Sequence, residues 1–100
     1  MDPELQDLTI ADVVICLAGR EQGQLFYVLE AQDGYLLLVD GKGRRIEKPK
    51  RKKQKHVQKV LRSETRVAQK LRAGDKVLNS ELRRDLAEFS QKMQSNNLGG

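Results

Sequence analysis

The chain has 100 residues, 38% of them apolar and 33% charged, and a formal net charge of +5. That length allows one small domain with a modest core, which excludes a large internal cavity for a substrate. The single cysteine, Cys16, excludes an intramolecular disulfide and a multi-thiol zinc site, and no apolar run approaches the ~20 residues of a membrane-spanning helix.

The N-terminal segment, residues 1–9, carries Pro3 and three acidic residues, and we expect it to be flexible. It lacks the basic-then-apolar order of a signal peptide, which favours a cytoplasmic protein. The predicted folded domain therefore starts at residue 10.

Three short strands are predicted in the first 40 residues, because β-branched and apolar residues recur there in short runs. These runs are DVVICLA at 12–18, QLFYVLEA at 24–31 and YLLLVD at 35–40. Cys16 lies inside the first run, where a core residue is more typical than a reactive thiol.

The connections between these strands are predicted to be tight turns. Gly19 and Gly23 bracket the first loop, and Asp33-Gly34 is typical of a type I′ hairpin turn, whose two central residues need positive φ. A short fourth strand is predicted at 44–47, before Pro49. Short strands joined in this way predict a small, strongly bent antiparallel sheet or barrel over residues 10–50.

The charge of the chain is concentrated between Lys42 and Arg62. This stretch holds eleven basic residues and one acidic residue, whereas residues 1–41 hold eight acidic residues and one basic residue. Such unevenness raises the local electrostatic potential well above what the net charge suggests, so we expect a polyanionic partner. The rival interpretation is a solvated charged loop or a localisation patch. The density of lysine and arginine, both suited to phosphate, favours nucleic-acid binding.

Within this stretch, residues 51–62 are interpreted as a basic connector that leaves the barrel as a mobile arm. His56 is the only histidine, so it supplies neither a metal site nor a catalytic pair. Binding through these side chains draws on counterion release and should weaken as salt rises. The residues of this stretch expected to contact nucleic acid are Lys42, Arg44, Arg45, Lys48, Lys50, Arg51, Lys52, Lys53, Lys55, His56, Lys59 and Arg62.

A helical extension is predicted over residues 63–94. Its first helix runs from about residue 64 to residue 72 and ends at Gly74. The second helix is expected to be capped by Asn79 or Ser80 and to bury an apolar stripe in the core. That stripe consists of Leu82, Leu86, Phe89 and Met93. The last residues, 95–100, are predicted to be disordered.

The sequence contains no recognisable catalytic motif. There is no Walker loop, no GxSxG, no pair of histidines and no carboxylate cluster in apolar surroundings. We therefore expect a protein without catalysis, cofactor or small-molecule substrate.

An apolar strand, the loop GREQG at 19–23, a second apolar strand and a glycine turn together resemble the KOW motif. The continuation VDGKGRRIEKPKRKKQKH at 39–56 is similar to the small bacterial KOW-domain RNA-binding proteins. These are related to the archaeal and eukaryotic large-subunit ribosomal proteins of family fourteen. The resemblance covers about residues 10–90.

This resemblance implies a mainly β fold, a small SH3-like KOW barrel with an α-helical C-terminal extension. It implies binding of structured RNA, above all ribosomal RNA, with ribosomal proteins as further partners. Arg20 would contact RNA at the tip of the first loop, and Lys42, Arg44 and Arg45 would extend the RNA surface. The segment 48–59 would follow the sugar–phosphate backbone.

Two alternatives stay open on the sequence alone. SH3-like barrels also bind proteins, and the acidic residues Asp12, Glu30, Asp33 and Asp40 would then matter as much as the basic ones. A module of a DNA or transcription complex is equally compatible with the charge pattern. The low aromatic content, 4%, argues mildly against binding by base stacking.

Overall fold

The computed structural model describes the backbone of residues 7–99 and the side chains of residues 7–94. A short 3₁₀ turn at Gln54–His56 separates the fourth strand from the fifth. The chain is mainly β with helices at its C-terminal end, as predicted. The elements are β1 Asp12–Cys16, β2 Leu25–Gln32, β3 Tyr35–Val39, β4 Lys50–Lys53, β5 Val57–Arg62, α1 Arg66–Ala73 and α2 Asn79–Gly99.

All five strands form one antiparallel sheet in the order β4-β3-β2-β1-β5. The sheet is not closed, because β4 pairs with β3 alone and β5 with β1 alone. The β2–β3 hairpin turns at Asp33 and Gly34, whose φ angles are 52° and 80°. This confirms the prediction that both residues of that turn adopt positive φ.

One face of the sheet is buried by side chains from the strands themselves and from the segment that precedes β1. No helical residue belongs to this cluster among the described residues. A flat sheet would leave such a face bare, so the sheet has to curve around it. Burial raises the pKa of the Cys16 thiol, as expected for a core cysteine. The cluster consists of Leu8, Val14, Cys16, Phe26, Val28, Leu36, Leu38 and Val57.

The opposite face packs beneath the two helices. Val13, Tyr27 and Val39 of the sheet share one buried cluster with residues from both helices. Leu82 and Leu86 come from α2, as the predicted apolar stripe requires, and Phe89 packs against the same cluster. The helical extension therefore belongs to the domain core.

The basic connector predicted at 51–62 needs correction, because these residues lie largely in β4 and β5. The two strands complete the hydrogen bonding of β3 and β1, whose outer edges would otherwise be unpaired. Val57 is 1% exposed, so β5 also contributes to the core. These gains outweigh the weak strand propensity of lysine.

The fourth strand predicted at 44–47 is wrong, since this segment is a loop. The Asp40 carboxylate folds it by accepting hydrogen bonds from the backbone N–H groups of Lys42 and Arg44, at 2.9 and 2.8 Å. The edge of β3 is occupied by β4, so no partner strand is left there for residues 44–47.

The ends of the elements also differ from the sequence predictions. Leu8 is buried, so the flexible segment predicted at 1–9 ends before it, and residues 1–6 lie outside the described part. Helix α2 reaches Gly99 where disorder was predicted at 95–100, and Gly100 lies outside the described residues. Gly74 ends α1 with φ 76°, as predicted.

Neither Asn79 nor Ser80 caps α2 with its side chain in the way the sequence predicts. The Asn79 amide instead accepts from the Ile46 N–H at 2.9 Å and donates to Glu47. The Glu81 carboxylate turns back to accept from the Leu78 N–H at 2.9 Å. The Glu81 carboxylate thus accepts a hydrogen bond from the backbone just before the helix, as in one half of a capping box. The Asn79 side chain instead links the start of α2 to the β3–β4 loop.

Candidate nucleic-acid interface

The basic stretch lies along one edge of the sheet and in the loop that leads into it. β4 carries Lys50, Arg51, Lys52 and Lys53 in succession, so the four side chains alternate between the two faces of the sheet. The register places Arg51 opposite Leu37 and Lys53 opposite Tyr35. These cations are therefore held by a hydrogen-bonded strand, in contrast to the mobile arm that the sequence predicts.

Glu21, in the β1–β2 loop, forms ion pairs with two of the residues predicted to contact RNA. Its carboxylate accepts from Arg44 Nε at 2.8 Å and lies 4.0 Å from Lys52 Nζ. The hydrogen bond from Arg44 lowers the pKa of Glu21 below its usual range. Lys52 also donates to the carbonyl of Ala18 at 3.2 Å. Arg44 and Lys52 thus join the β1–β2 loop to the β3–β4 loop and to β4.

Two further predicted contacts pair with carboxylates near β5. Lys59 Nζ lies 3.4 Å from the carboxylate of Asp12, whose side chain is fully buried, and donates to the carbonyl of Asp7 at 3.2 Å. Arg62 pairs with the exposed Glu64 at 3.0 Å. These two cations are partly neutralised by the protein itself.

A second group of predicted contacts is exposed, and within residues 7–94 none of its members forms an ion pair. They lie in the β1–β2 loop, in the β3–β4 loop, at the end of β4 and in the 3₁₀ turn. Glu21 joins the first three of these regions through Arg44 and Lys52, and the 3₁₀ turn follows β4 directly. We call this group the unpaired cations: Arg20, Lys42, Arg45, Lys48, Lys53 and Lys55.

The remaining predicted contacts occupy intermediate positions. Lys50 and His56 are half-buried, and the His56 carbonyl accepts from the Leu17 N–H at 2.9 Å. Arg51 is exposed, and its guanidinium lies over the Tyr35 ring, 4.0 Å from the ring centroid. Sequence reasoning missed this pair, because the two residues meet only through the β3–β4 register.

Sequence reasoning also missed Arg83 of α2, which donates to the carbonyl of Gly41 at 2.6 Å. This bond holds the helix against the β3–β4 loop. Lys42 and Arg83 line a shared open cavity of about 480 Å³ between that loop, the β1–β2 loop and α2. The start of the basic stretch is therefore fixed from the helical side as well.

A buried polar cluster surrounds the Tyr27 hydroxyl, between the sheet and the helices. The Tyr27 hydroxyl donates to Asp85 at 2.6 Å and contacts Ser63 Oγ at 2.8 Å. Thr65, the N-cap of α1, donates to the same Asp85 oxygen at 2.6 Å. Burial and the Asp85 carboxylate raise the pKa of Tyr27 to about 12. With this pKa, the Tyr27 hydroxyl stays protonated at neutral pH. It therefore fits a structural role better than acid–base chemistry.

Two features are absent from the described residues, a cluster of candidate metal ligands and a membrane-spanning helix. No group of three or more His, Cys, Asp or Glu side chains is placed to hold a metal ion. Within the same part of the chain, no helix has the length and apolar character to cross a membrane.

Comparison with known proteins found no matching protein-family model and no matching curated protein. The resemblance to the KOW motif therefore depends on the sequence itself, above all on residues 19–23 and 39–56. The arrangement of the unpaired cations is the observation from which a function can be argued.

Proposed function

We propose that this chain is a non-catalytic RNA-binding protein of the cytoplasm, which contacts ribosomal RNA through its basic surface and has ribosomal proteins as neighbours. The observation that carries the proposal is the set of six unpaired cations. They lie in the β1–β2 and β3–β4 loops, at the end of β4 and in the 3₁₀ turn, and no ion pair within the described residues neutralises them.

The rigidity of this surface supports the proposal. A mobile lysine arm loses backbone freedom when it is ordered on a ligand, at a cost of about 1–2 kcal/mol for each residue fixed. Here the backbone of β4 is already held by its pairing with β3, and Asp40 folds the loop before it. Most of the free energy released with phosphate counterions is then available for binding.

We further propose that the sheet is an SH3-like barrel of the KOW type. β4 ends at Lys53 and β5 starts at Val57, yet these strands lie at opposite edges of the sheet. In a flat sheet the edges would be about 19 Å apart, at about 4.8 Å per strand. The connection from Lys53 to Val57 spans at most about 14 Å. The two edges must therefore curve toward each other at this end, as in a small barrel.

A pair of charge-matched variants tests RNA binding. The first replaces Lys48, Lys53 and Lys55 with Ala. The control replaces Lys76, Arg84 and Lys92, three exposed cations beyond the basic stretch that form no ion pair within the described residues. Affinity for ribosomal RNA fragments is measured by filter binding at several salt concentrations.

The first variant should bind more weakly, and the slope of log affinity against log salt should become shallower by about 2–3, because each lost phosphate contact removes about 0.7–0.9. The control should retain the slope of the native protein. Equal losses in both variants would mean that net charge alone matters. Salt-resistant association with ribosomes in a sucrose gradient would instead favour a protein-interaction module.

A further inference from the structure

The outer face of β2, β3 and β4 carries an exposed group of aromatic, basic and acidic side chains. The register pairs Gln32 with Tyr35, Glu30 with Leu37, and Leu37 with Arg51. Paired residues point to the same side of a sheet, so all five side chains share one face. This face continues the one that the helices cover at Tyr27 and Val39.

A β-bulge is responsible for the outward position of Glu30. The pairing between β2 and β3 shifts by one residue between Val28 and Glu30. Without the extra residue, Glu30 would lie opposite Leu36, whose side chain is buried in the inner cluster. The bulge therefore turns a carboxylate toward the open face, a use that bulges often have near binding sites.

This face forms an open cavity of about 320 Å³, lined also by Asp33 of the hairpin turn. No helical residue within the described part of the chain lines it. A volume of this size lies at the lower end of the range of about 300–1,000 Å³ that is typical of small-ligand sites.

Arg51 and Tyr35 provide a planar surface at this cavity. The guanidinium carbon lies 4.0 Å from the centroid of the Tyr35 ring, and Arg51 remains exposed to solvent. The cation–π contact fixes the guanidinium on its inner side. Its outer side is then available for stacking by a second planar group, and arginine planes commonly stack on unpaired bases in this way.

The acidic residues of the cavity decide which part of a nucleotide fits. Glu30 and Asp33 are exposed, and neither forms an ion pair within the described residues although Arg51 lines the same cavity. Two carboxylates disfavour a phosphate at this position, and Arg51 disfavours a cationic peptide side chain. A neutral planar group with N–H donors satisfies both constraints.

Guanine meets this description most fully. Its Watson–Crick edge presents two adjacent N–H donors and one carbonyl, which match the two oxygens of a carboxylate and the NH₂ of a glutamine. Adenine, cytosine and uracil each lack one of the two adjacent donors. Glu30 and Gln32, neighbours on one face of β2, supply these two partners.

We propose that this face binds one unpaired guanine of the RNA, stacked on Arg51 above Tyr35 and read along its Watson–Crick edge by Glu30 and Gln32. The inference rests on the RNA-binding function proposed above and adds a base-specific site to it. The unpaired cations would hold the phosphates on either side.

The test uses fluorescence anisotropy with single-stranded oligouridines that carry one central guanosine, inosine, adenosine or uridine. Inosine keeps the N1–H group of guanine but lacks the 2-amino group, so it isolates one contact of the carboxylate. The native chain should bind the guanosine strand about tenfold more tightly than the uridine strand, with inosine between them.

Three variants separate base reading from charge. Glu30→Gln should abolish the preference for guanosine while affinity for the uridine strand stays equal or rises, since a negative charge is removed. Arg51→Lys keeps the charge but loses the plane, so it should weaken guanosine binding about fivefold or more. Glu88→Gln removes the same charge as Glu30→Gln from an exposed position on α2 and should keep the preference.

The outcomes distinguish the two proposals. If the native chain binds all four strands equally, or if Glu30→Gln keeps the preference, the guanine site is refuted while RNA binding stands. If no strand and no ribosomal RNA fragment binds at low salt, the proposed function and the guanine site both fall.

Discussion

The hydroxyl of Tyr27 donates a 2.6 Å hydrogen bond to the carboxylate of Asp85, and this bond joins the centre of the sheet to α2. Tyr27 is fully buried on β2, and Ser63 and Thr65 contact the same hydroxyl from the segment that leads into α1. The sheet, the segment between β5 and α1, and α2 therefore meet at one oxygen atom.

Replacement of Tyr27 with Phe should destabilise the fold by about 1–3 kcal/mol, because the Asp85 carboxylate and the Ser63 hydroxyl lose a buried partner. Urea denaturation followed by circular dichroism measures the loss. The folded spectrum should be retained, since the ring still fills the same volume. An unchanged midpoint would show that the cluster contributes nothing to stability.

Tyr27 should also make the stability of the fold decrease at high pH. Its pKa is raised from 10.0 to about 12 in the folded chain, so its contribution is complete below pH 10 and is lost as the pH rises through about 12. That contribution is about 2–3 kcal/mol, at 1.36 kcal/mol for each pKa unit. Tyr27→Phe should show a correspondingly flatter decline between pH 10 and 12, and an identical decline in both proteins would contradict the assignment.

Glu21 should restrain RNA binding, because it pairs with two cations of the basic stretch. Glu21→Gln frees Arg44 and Lys52 and removes a negative charge, so affinity for RNA should rise and its salt dependence should steepen. Filter binding over a salt series measures both. The control is Glu88→Gln, which removes the same charge from an exposed position on α2 and leaves the cations of the basic stretch paired as before. A weaker binding of RNA by Glu21→Gln would show that the loop geometry matters more than the two charges.

Glu21 also contributes to stability in acid. Its pKa is lowered in the folded chain by the hydrogen bond from Arg44, so its contribution is present above the pKa of the unfolded chain and is lost as the pH falls through the folded value. Thermal melts of Glu21→Gln should therefore depend less on pH in the acid range than melts of the native protein. Parallel pH profiles would argue against this pair.

Two glycines with similar backbone angles should respond differently to Ala. Gly41 has φ 77°, and an added Cβ would overlap the Asn79 carbonyl oxygen. Gly34 has φ 80° but no atom within 4 Å of that position. We expect Gly34→Ala to cost about 1–2 kcal/mol from backbone strain alone and Gly41→Ala to cost clearly more, because α2 must move away. Equal losses in urea denaturation would show that the contact relaxes easily.

The ion pairs of β5 should also differ in strength. Asp12 is fully buried beside Lys59, whereas Arg62 and Glu64 are both exposed. Lys59→Met should therefore destabilise the fold by about 1–3 kcal/mol, and Arg62→Met by less than about 1 kcal/mol. Denaturant midpoints of the two variants give the comparison. A larger effect at Arg62 would contradict the structural assignment of these pairs.

The sequence predicted β1, β2 and β3 because their apolar runs and turn glycines reflect local preferences. β4 was missed because KRKK has weak strand propensity, and it is ordered only by pairing with the apolar β3. β5 was interpreted as part of the basic connector, because Val57, Val60 and Leu61 do not alternate with polar residues as in a typical strand.

The candidate site was likewise predicted only in those features that depend on local sequence. The sequence identified the density of positive charge, but the distinction between paired and unpaired cations depends on Glu21, Asp12 and Glu64. The partnership of Arg44 with Glu21, or of Arg51 with Tyr35, arises from tertiary register. Local pattern carries no signal for such contacts.

The position of β4 also affects how copies of this chain behave toward each other in concentrated solution. An uncovered edge strand is a template on which another molecule can add a strand and begin to aggregate, and lysines are a common natural safeguard against this. The lysines of β4 that face phosphate in an RNA complex would therefore protect solubility when no RNA is bound. Selection against aggregation and selection for RNA binding would then act on the same three lysines, Lys50, Lys52 and Lys53.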